Sequence, residues 1–273
     1  MNKREKRELH TPSSGIFFGI KRTLFKKKSR FQEIEVIENP YFGRMLFLDG
    51  LVQTTEKDEF FYHEMLILPA IVTHPQPRKI LIIGGGDGGA LRQILQHPVE
   101  SATMVEIDPD VISAAKKYLP WLVPSLEDER ANLVVADGKK YLEDSKDTYD
   151  VVYIDSSESI GPSTVLHEKN FFALVKNRLT PGGVVCAQVG APFFQLESLK
   201  HAKNELRDVF EIFRFYLAPV PTYPGGYWCY VFLSDRVDPF AIKREPPRDL
   251  RYYNLEIHKA AFALPNYLRE ILE

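Results

Sequence analysis

From Phe17 to about Asp58 the apolar residues alternate with polar ones or gather in short runs. These are "IFFGI", "FQEIEVIE", "RMLFLDG" and "LVQTT", broken by "KKKSR", "NPYFG" and "DG". Period-two alternation between turn-forming clusters predicts short strands. The expectation is a small N-terminal β domain over residues 15–58, preceded by a charged, turn-rich flexible segment over residues 1–14. Past residue 58 the rhythm changes: "KILII" leads into "GGGDGG" and then "ALRQILQH", and "SATMVEI" leads into "DPDVISAAKKYL". The same succession repeats through "ANLVVA" and "DGKKYLED", then "YDVVYID", "EKNFFALVKNRL" and "GGVVCAQV". Apolar run, turn and helical periodicity in alternation predict βαβ units, hence an α/β catalytic domain over residues 59–273 built on a Rossmann-like, doubly wound parallel sheet. Near the end, "IFRFYLA" and "YWCYVFL" joined by "PVPTYPGG" predict an antiparallel hairpin at the sheet edge.

Composition narrows the classes. With 273 residues, 44% hydrophobic and 26% charged, the chain has ample apolar surface for a full core and lies far from disordered compositions. Lys+Arg 35 against Asp+Glu 37 gives a net charge of −2, with no basic excess to follow a phosphate backbone, so nucleic acid is not an expected partner. Runs such as "MLILPAIV" fall well short of the roughly 18 to 20 apolar residues a membrane span needs, and "GIFFGI" is too short for a signal-peptide core. A soluble protein without a membrane partner is expected. Two cysteines, Cys186 and Cys229, build neither a disulfide framework nor a four-cysteine zinc site, which fits a reducing, cytoplasmic compartment.

The chemistry concentrates at the ends of the predicted strands. Gly84, Gly86 and Gly89 stand in G-x-G-x-x-G spacing between a predicted strand and helix, and Glu106 closes the next strand, where a carboxylate accepts both hydroxyls of a ribose. In dinucleotide folds this turn receives a pyrophosphate, yet Asp87 sits inside it. A carboxylate there opposes an anion by about 4 kcal/mol at contact distance and an effective dielectric near 20. The ligand beside Asp87 is therefore expected to be cationic or neutral, as an S-adenosyl sulfonium compound is. Asp137 and Gly138 follow the third strand, where Asp137 either accepts from an adenine amino group or caps the next helix. Asp155 ends the fourth strand, followed by Glu158 and the turn Gly161-Pro162. Asp87, Glu106, Asp137, Asp155 and Glu158 are thus expected around one crevice, a clustering of like charge that favours cationic substrates.

At this point the motifs "LDGLVQTTEKDEFFYHEM", "GGGDGG", "VEID", "ADG", "DSSESIGP", "PTYPGGYW" and "YYNLEIHKAAFALP" are distinctive. In this order and spacing, from about Gly15 to the C-terminus, the chain resembles the polyamine aminopropyltransferases, above all the spermidine synthases. The resemblance implies a small N-terminal β domain, a methyltransferase-like Rossmann domain and assembly as homodimers or homotetramers. It also implies transfer of an aminopropyl group from decarboxylated S-adenosylmethionine, a co-substrate rather than a cofactor, to a diamine, typically putrescine. By the same resemblance Asp155 is the base that deprotonates the attacking amine. Gln53, Gly84, Gly86, Asp87, Glu106, Asp137, Gly138 and Pro162 bind the donor. Tyr62, His63, Glu158, Gln188 and Tyr223, with Asp87 and Asp155, orient the acceptor. No metal is implied, since the sulfonium electrophile is already activated and leaves as a neutral thioether.

Two departures bear on the acceptor. Many relatives carry a Trp before the first strand, where this chain has "KRELHTPSSG", and Ser159 replaces the usual Pro of D-S-[ST]-[DE]-P. Weak discrimination by acceptor length is therefore expected unless Phe17, Phe18 or Trp228 supplies an aromatic wall. The rivals are a methyltransferase of a small amine, which has no need of Asp87, and a polyamine-binding protein without turnover, which has no need of a base at Asp155. An NAD-dependent oxidoreductase is disfavoured by Asp87 in the phosphate turn.

Overall fold

A computed structural model of the chain describes residues 4–156 and 168–272. Strands β1 (Glu5–Thr11) and β2 (Ser14–Gly19) form an antiparallel hairpin, with Glu5 opposite Gly19. The expectation of a flexible segment over residues 1–14 is corrected here: from Glu5 onward it is a paired strand, and buried Glu8 accepts the Val52 N–H at 2.8 Å. Hydrophobic patterning gives no sign of it, because ladder bonds and a buried carboxylate hold this strand rather than an apolar face. Strands β3 (Arg22–Lys28), β4 (Glu33–Asn39), β5 (Gly43–Leu48) and β6 (Leu51–Thr55) follow as a four-stranded antiparallel meander. Ile37, Met45, Phe47 and Val52 close one face of it over Phe18, while Ile34, Val36 and Leu46 turn toward the main core.

Helix α1 (Glu59–Thr73) comes next, buried at every position except Phe61. Its sequence shows no helical period, because an apolar residue is welcome on every side and Pro69 stands in its interior. Proline supplies no N–H to the Met65 carbonyl one turn back. The Tyr216 hydroxyl donates to that carbonyl instead, at 3.0 Å.

The remaining elements in chain order are β7 (Lys79–Gly84), α2 (Gly89–Leu95), β8 (Ser101–Glu106), α3 (Pro109–Tyr118), α4 (Val123–Leu126), β9 (Ala131–Val135), α5 (Gly138–Asp144) and β10 (Tyr149–Asp155). After them come α6 (Lys169–Asn177), β11 (Leu179–Gly190), α7 (Leu196–Leu206), β12 (Ile212–Pro219), β13 (Tyr227–Ser234), α8 (Leu255–Ala261) and α9 (Asn266–Leu272). Strands β7 to β13 form one seven-stranded sheet in the order β12-β13-β11-β10-β7-β8-β9. The five strands from β11 to β9 are parallel, and β13 and β12 add the antiparallel edge that the sequence predicts.

Alternate residues of β7 enter different cores. Ile80 and Ile82 face α1 and α2, whereas Leu81 and Ile83 face the side covered by α5, α6, α7 and α9. Both faces are dry, which is why the strand reads as one unbroken apolar run. The chain leaves β7 toward β8 on one side and reaches β10 on the other, so the carboxyl ends of β7 and β10 flank the topological switch point where open sheets bind ligands. Among the described residues no helix is long and apolar enough to cross a membrane.

Candidate active site

A crevice opens at that switch point. Gly84, Gly86 and Asp87 from the turn after β7 line it, with Glu106 at the end of β8, Asp137 and Gly138 after β9, and Asp155 at the end of β10. Gln53 of β6, Tyr62 and His63 of α1, Gln188 of β11 and Tyr223 before β13 complete the wall. The structure thus brings together every expected site residue within its described range. Glu158 and Pro162, with Ser159, lie outside the described residues.

The glycine turn is shaped by its neighbours. Gly84 has φ +87° and lies so close to the Asp155 carbonyl that a Cβ would overlap it, and the Gly85 N–H donates to the same carbonyl at 2.8 Å. At Gly86 a Cβ would stand 2.7 Å from a Glu106 carboxylate oxygen. The glycines therefore let Asp155 and the Glu106 carboxylate pack directly against one turn.

Each carboxylate has a distinct setting. Glu106 accepts from the Asp108 N–H at 2.8 Å and the Gly86 N–H at 3.2 Å, and burial pushes its carboxyl up to about 7 against those bonds. Asp137 accepts from the Lys140 N–H at 2.9 Å, so it caps α5, and the residue also lines the crevice. Asp87 accepts the Gly89 N–H at 2.9 Å, and burial raises its carboxyl while the His63 charge opposes the rise. Asp155 accepts the Tyr62 hydroxyl at 2.7 Å; burial, tempered by His63 and reinforced by Asp87, brings it to about 6.

His63 has a carboxylate on each side of its ring, Glu59 at Nδ1 and Asp87 at Nε2. Burial opposes its charge, but Asp87, the Glu59 hydrogen bond and Asp155 together hold it up to about 9. The side-chain atoms of His63, Asp87 and Asp155 lie within 4.8 Å of one another, close enough to surround a small cation. An imidazolium has no free lone pair for a metal. Within the group Asp87 and Asp155 supply the acceptor oxygens.

On the other wall the polar groups tie each other down. The Gln188 amide donates to the Ser156 carbonyl at 2.8 Å and accepts the Trp228 indole N–H at 3.1 Å, and the Tyr223 hydroxyl donates to the Gln53 carbonyl at 2.5 Å. Trp228 stands edge-on to Tyr223, with centroids 4.7 Å apart, and lines the crevice. Phe17 is 68% exposed and Phe18 is packed against Phe42 and Phe47, so neither reaches the site. Sequence reasoning missed Gln32 and Glu8, which also line the crevice. Gln32 donates to the Asp108 carboxylate at 3.1 Å from the turn between β3 and β4, and only its place just before an apolar run marks it in the sequence.

The Spermine/spermidine synthase domain family matches residues 59–243, and the Spermidine synthase tetramerisation domain family matches residues 6–56. A polyamine aminopropyltransferase of Shouchella clausii is 43% identical over 269 residues, covering 97% of this chain and 98% of the relative. That of Bacillus subtilis is 40% identical over the same length, with 97% and 98% covered. Among solved structures, a spermidine synthase in complex with the transition-state analogue AdoDATO superposes with a TM-score of 0.96 at 39% identity, covering 100% of this chain and 96% of the other. The spermidine synthase of Thermotoga maritima gives 0.93 at 38%, covering 100% and 95%. A switch-point crevice walled by carboxylates on a Rossmann-like sheet, with these matches over nearly the whole length, places the chain in the spermine/spermidine synthase family, as an enzyme of the polyamine aminopropyltransferase class.

Proposed function

We propose that this enzyme transfers the aminopropyl group of decarboxylated S-adenosylmethionine to putrescine, giving spermidine and methylthioadenosine. The observation that carries the reading is the pairing of Asp87, in the turn where a dinucleotide would place its phosphates, with Asp155 at the adjoining strand end. Two carboxylates there suit a donor whose tail ends in an ammonium and an acceptor that is dicationic near neutral pH. Glu106 holds the ribose diol, Asp137 with Gly138 the adenine, and Gln53, Gly84, Gly86 and Asp87 the donor's tail and ribose region. Tyr62, His63, Gln188 and Tyr223 orient the diamine. Pro162 and Glu158 keep the roles that the resemblance implies.

In the reaction the acceptor ammonium first gives a proton to Asp155, whose value of about 6 leaves it largely ionised at neutral pH. The freed nitrogen lone pair attacks the methylene on the sulfonium. A C–N bond forms, the C–S bond breaks, and its electron pair returns to sulfur as a neutral thioether. Because the electrophile is already activated, alignment and proton removal make up most of the protein's contribution. Nothing in this route calls on a metal or a redox cofactor. The match of residues 6–56 to a tetramerisation domain supports a homotetramer, and two buried free thiols, Cys186 and Cys229, suit the cytoplasm.

The test is incubation with S-adenosylmethionine or its decarboxylated form and a panel of amines, with products identified by mass. Aminopropylated putrescine and methylthioadenosine from the decarboxylated donor are expected. Methylated amine from S-adenosylmethionine, with no methylthioadenosine from the other donor, overturns the reading.

A further inference from the structure

Two carboxylates that face one substrate compete for its proton. If the acceptor's proton went to Asp87, the donor's ammonium would lose its anchor just as the bond forms, so the site needs a device that keeps the two apart. The device lies behind the crevice wall. Glu59 and His63 are one turn apart on α1, and Glu59 Oε2 meets His63 Nδ1 at 2.7 Å. The other oxygen, Oε1, accepts from the Arg92 guanidinium of α2 at 2.7 Å. The far side of the ring, Nε2, faces Asp87 Oδ2 at 3.8 Å, an ion-pair distance. Gly89 makes room for the ring, because a Cβ there would overlap it. Glu59 itself is buried and does not line the crevice.

We propose that Glu59, braced by Arg92, is a positioning residue that fixes His63 as a cation against Asp87, so that Asp87 remains the ammonium-binding carboxylate and the acceptor's proton goes to Asp155. This rests on the substrate reading above. The charged groups facing His63 are Glu59 from its own helix, Asp87 from the glycine turn and Asp155 from β10, with Arg92 behind Glu59. All three of the facing groups are acids. With Glu59 removed, His63 loses its proton more readily, and both crevice carboxylates, no longer faced by a full positive charge, hold theirs more tightly.

The imidazole of His63 is followed by NMR across pH in the full chain, wild type and Glu59→Gln, beside the pH profile of kcat. In the wild type the His63 midpoint is expected near 9, well above the ordinary histidine value. In Glu59→Gln its midpoint falls by at least about one unit and the acid limb of kcat moves up by roughly half a unit or more, while Glu59→Asp restores both. A wild-type His63 titrating near the ordinary histidine value overturns the inference, whether or not the variant folds. So does a Glu59→Gln that loses rate equally at every pH with the His63 midpoint unmoved. Normal product with a neutral His63 defeats this inference alone; a cationic His63 with no aminopropylated product from any amine defeats the substrate reading and the proton assignment with it.

Discussion

The two halves of the crevice are built differently. The half assigned to the donor comes from three consecutive strand ends, with Gly84, Gly86 and Asp87 after β7, Glu106 closing β8, and Asp137 with Gly138 after β9. The half assigned to the acceptor draws Tyr62 from α1, Asp155 from β10, Gln188 from β11 and Trp228 from β13, and its Tyr62–Asp155 bond joins residues 93 apart in the chain. The donor half is local geometry repeated by each βα turn, whereas the acceptor half exists only once the sheet has assembled. Polar groups in the first are held by backbone N–H donors, as Glu106 and Asp137 are; in the second, side chains hold other side chains or distant carbonyls. A change in the donor half should therefore act on binding, and one in the acceptor half on the rate or the choice of amine.

The strongest test of that division is Asp155→Asn, which keeps the Tyr62 contact but cannot take a proton. The rate should fall by roughly 10² to 10⁴ with the affinity for methylthioadenosine little changed. In the wild type the base works only when ionised, so kcat/KM for the acceptor should drop as pH falls through about 6, and single-turnover rates against pH check it. Near wild-type turnover by the variant at neutral pH would move the base elsewhere.

The same contrast explains what was legible in the sequence. Glu106, Asp137 and Asp155 were readable because each follows an apolar run, and a strand end before a turn is a place as well as a pattern. The edge hairpin β12–β13 was readable from two β-rich runs separated by Pro and Gly. Helix α1 was not, since a helix buried on all sides has no polar face to set its period and Pro69 argues against it locally; only Tyr216, far along the chain, satisfies the carbonyl that Pro69 leaves open. With α1 unread, Glu59 had no visible relation to His63. Gln53, Tyr62, His63, Gln188 and Tyr223 were named from motif resemblance alone, because nothing in a linear pattern says that β6, α1, β11 and the loop before β13 converge. Strand β1 escaped for a related reason, its residues being mostly charged.

Asp87 lies where the halves meet, and Asp87→Asn should act on donor binding. An ammonium that loses a charge-assisted hydrogen bond costs roughly 1.5 to 3 kcal/mol, about 10- to 150-fold in the dissociation constant of the decarboxylated donor. Calorimetry with that donor and with methylthioadenosine, which has no ammonium, separates the effect: the second should bind almost unchanged. Equal weakening of both would place Asp87 against the nucleoside and break the division.

Glu106 gives the donor half its own pH signature. Its folded value of about 7 lies above the ordinary 4.5, so Glu106 stabilises the unliganded fold most below 4.5 and that contribution is lost as pH rises through 7. Against Glu106→Gln, which cannot titrate, wild-type stability should decline across this window, read from denaturant melts. In the proposed role it is the carboxylate that accepts two ribose hydroxyls, so methylthioadenosine should bind more tightly as pH rises from about 6 to 8, by roughly tenfold, and the variant should show no such slope.

The smallest effect belongs to the acceptor wall. The absent N-terminal Trp led to an expectation of loose length selection unless another aromatic stood in, and Trp228 lines the crevice with its indole N–H held by Gln188 and its ring against Tyr223. An anchored indole cannot swing aside for an extra methylene, and its face attracts a distal ammonium by roughly 0.5 to 2 kcal/mol. One methylene in a fitted apolar pocket is worth about 1 to 3 kcal/mol. Putrescine should thus exceed cadaverine in kcat/KM by roughly tenfold or more in the wild type, and Trp228→Phe, which loses the Gln188 bond, should narrow the ratio several-fold while leaving methylthioadenosine affinity unchanged. Specificity constants for propane-diamine, putrescine, cadaverine, agmatine and spermidine at saturating donor decide it. If the variant keeps the wild-type ratio, the length gauge lies in another residue of the acceptor half. If the variant also loses nucleoside affinity, the two halves are coupled through the Gln188–Ser156 bond, and the division between binding and selection does not hold at this wall.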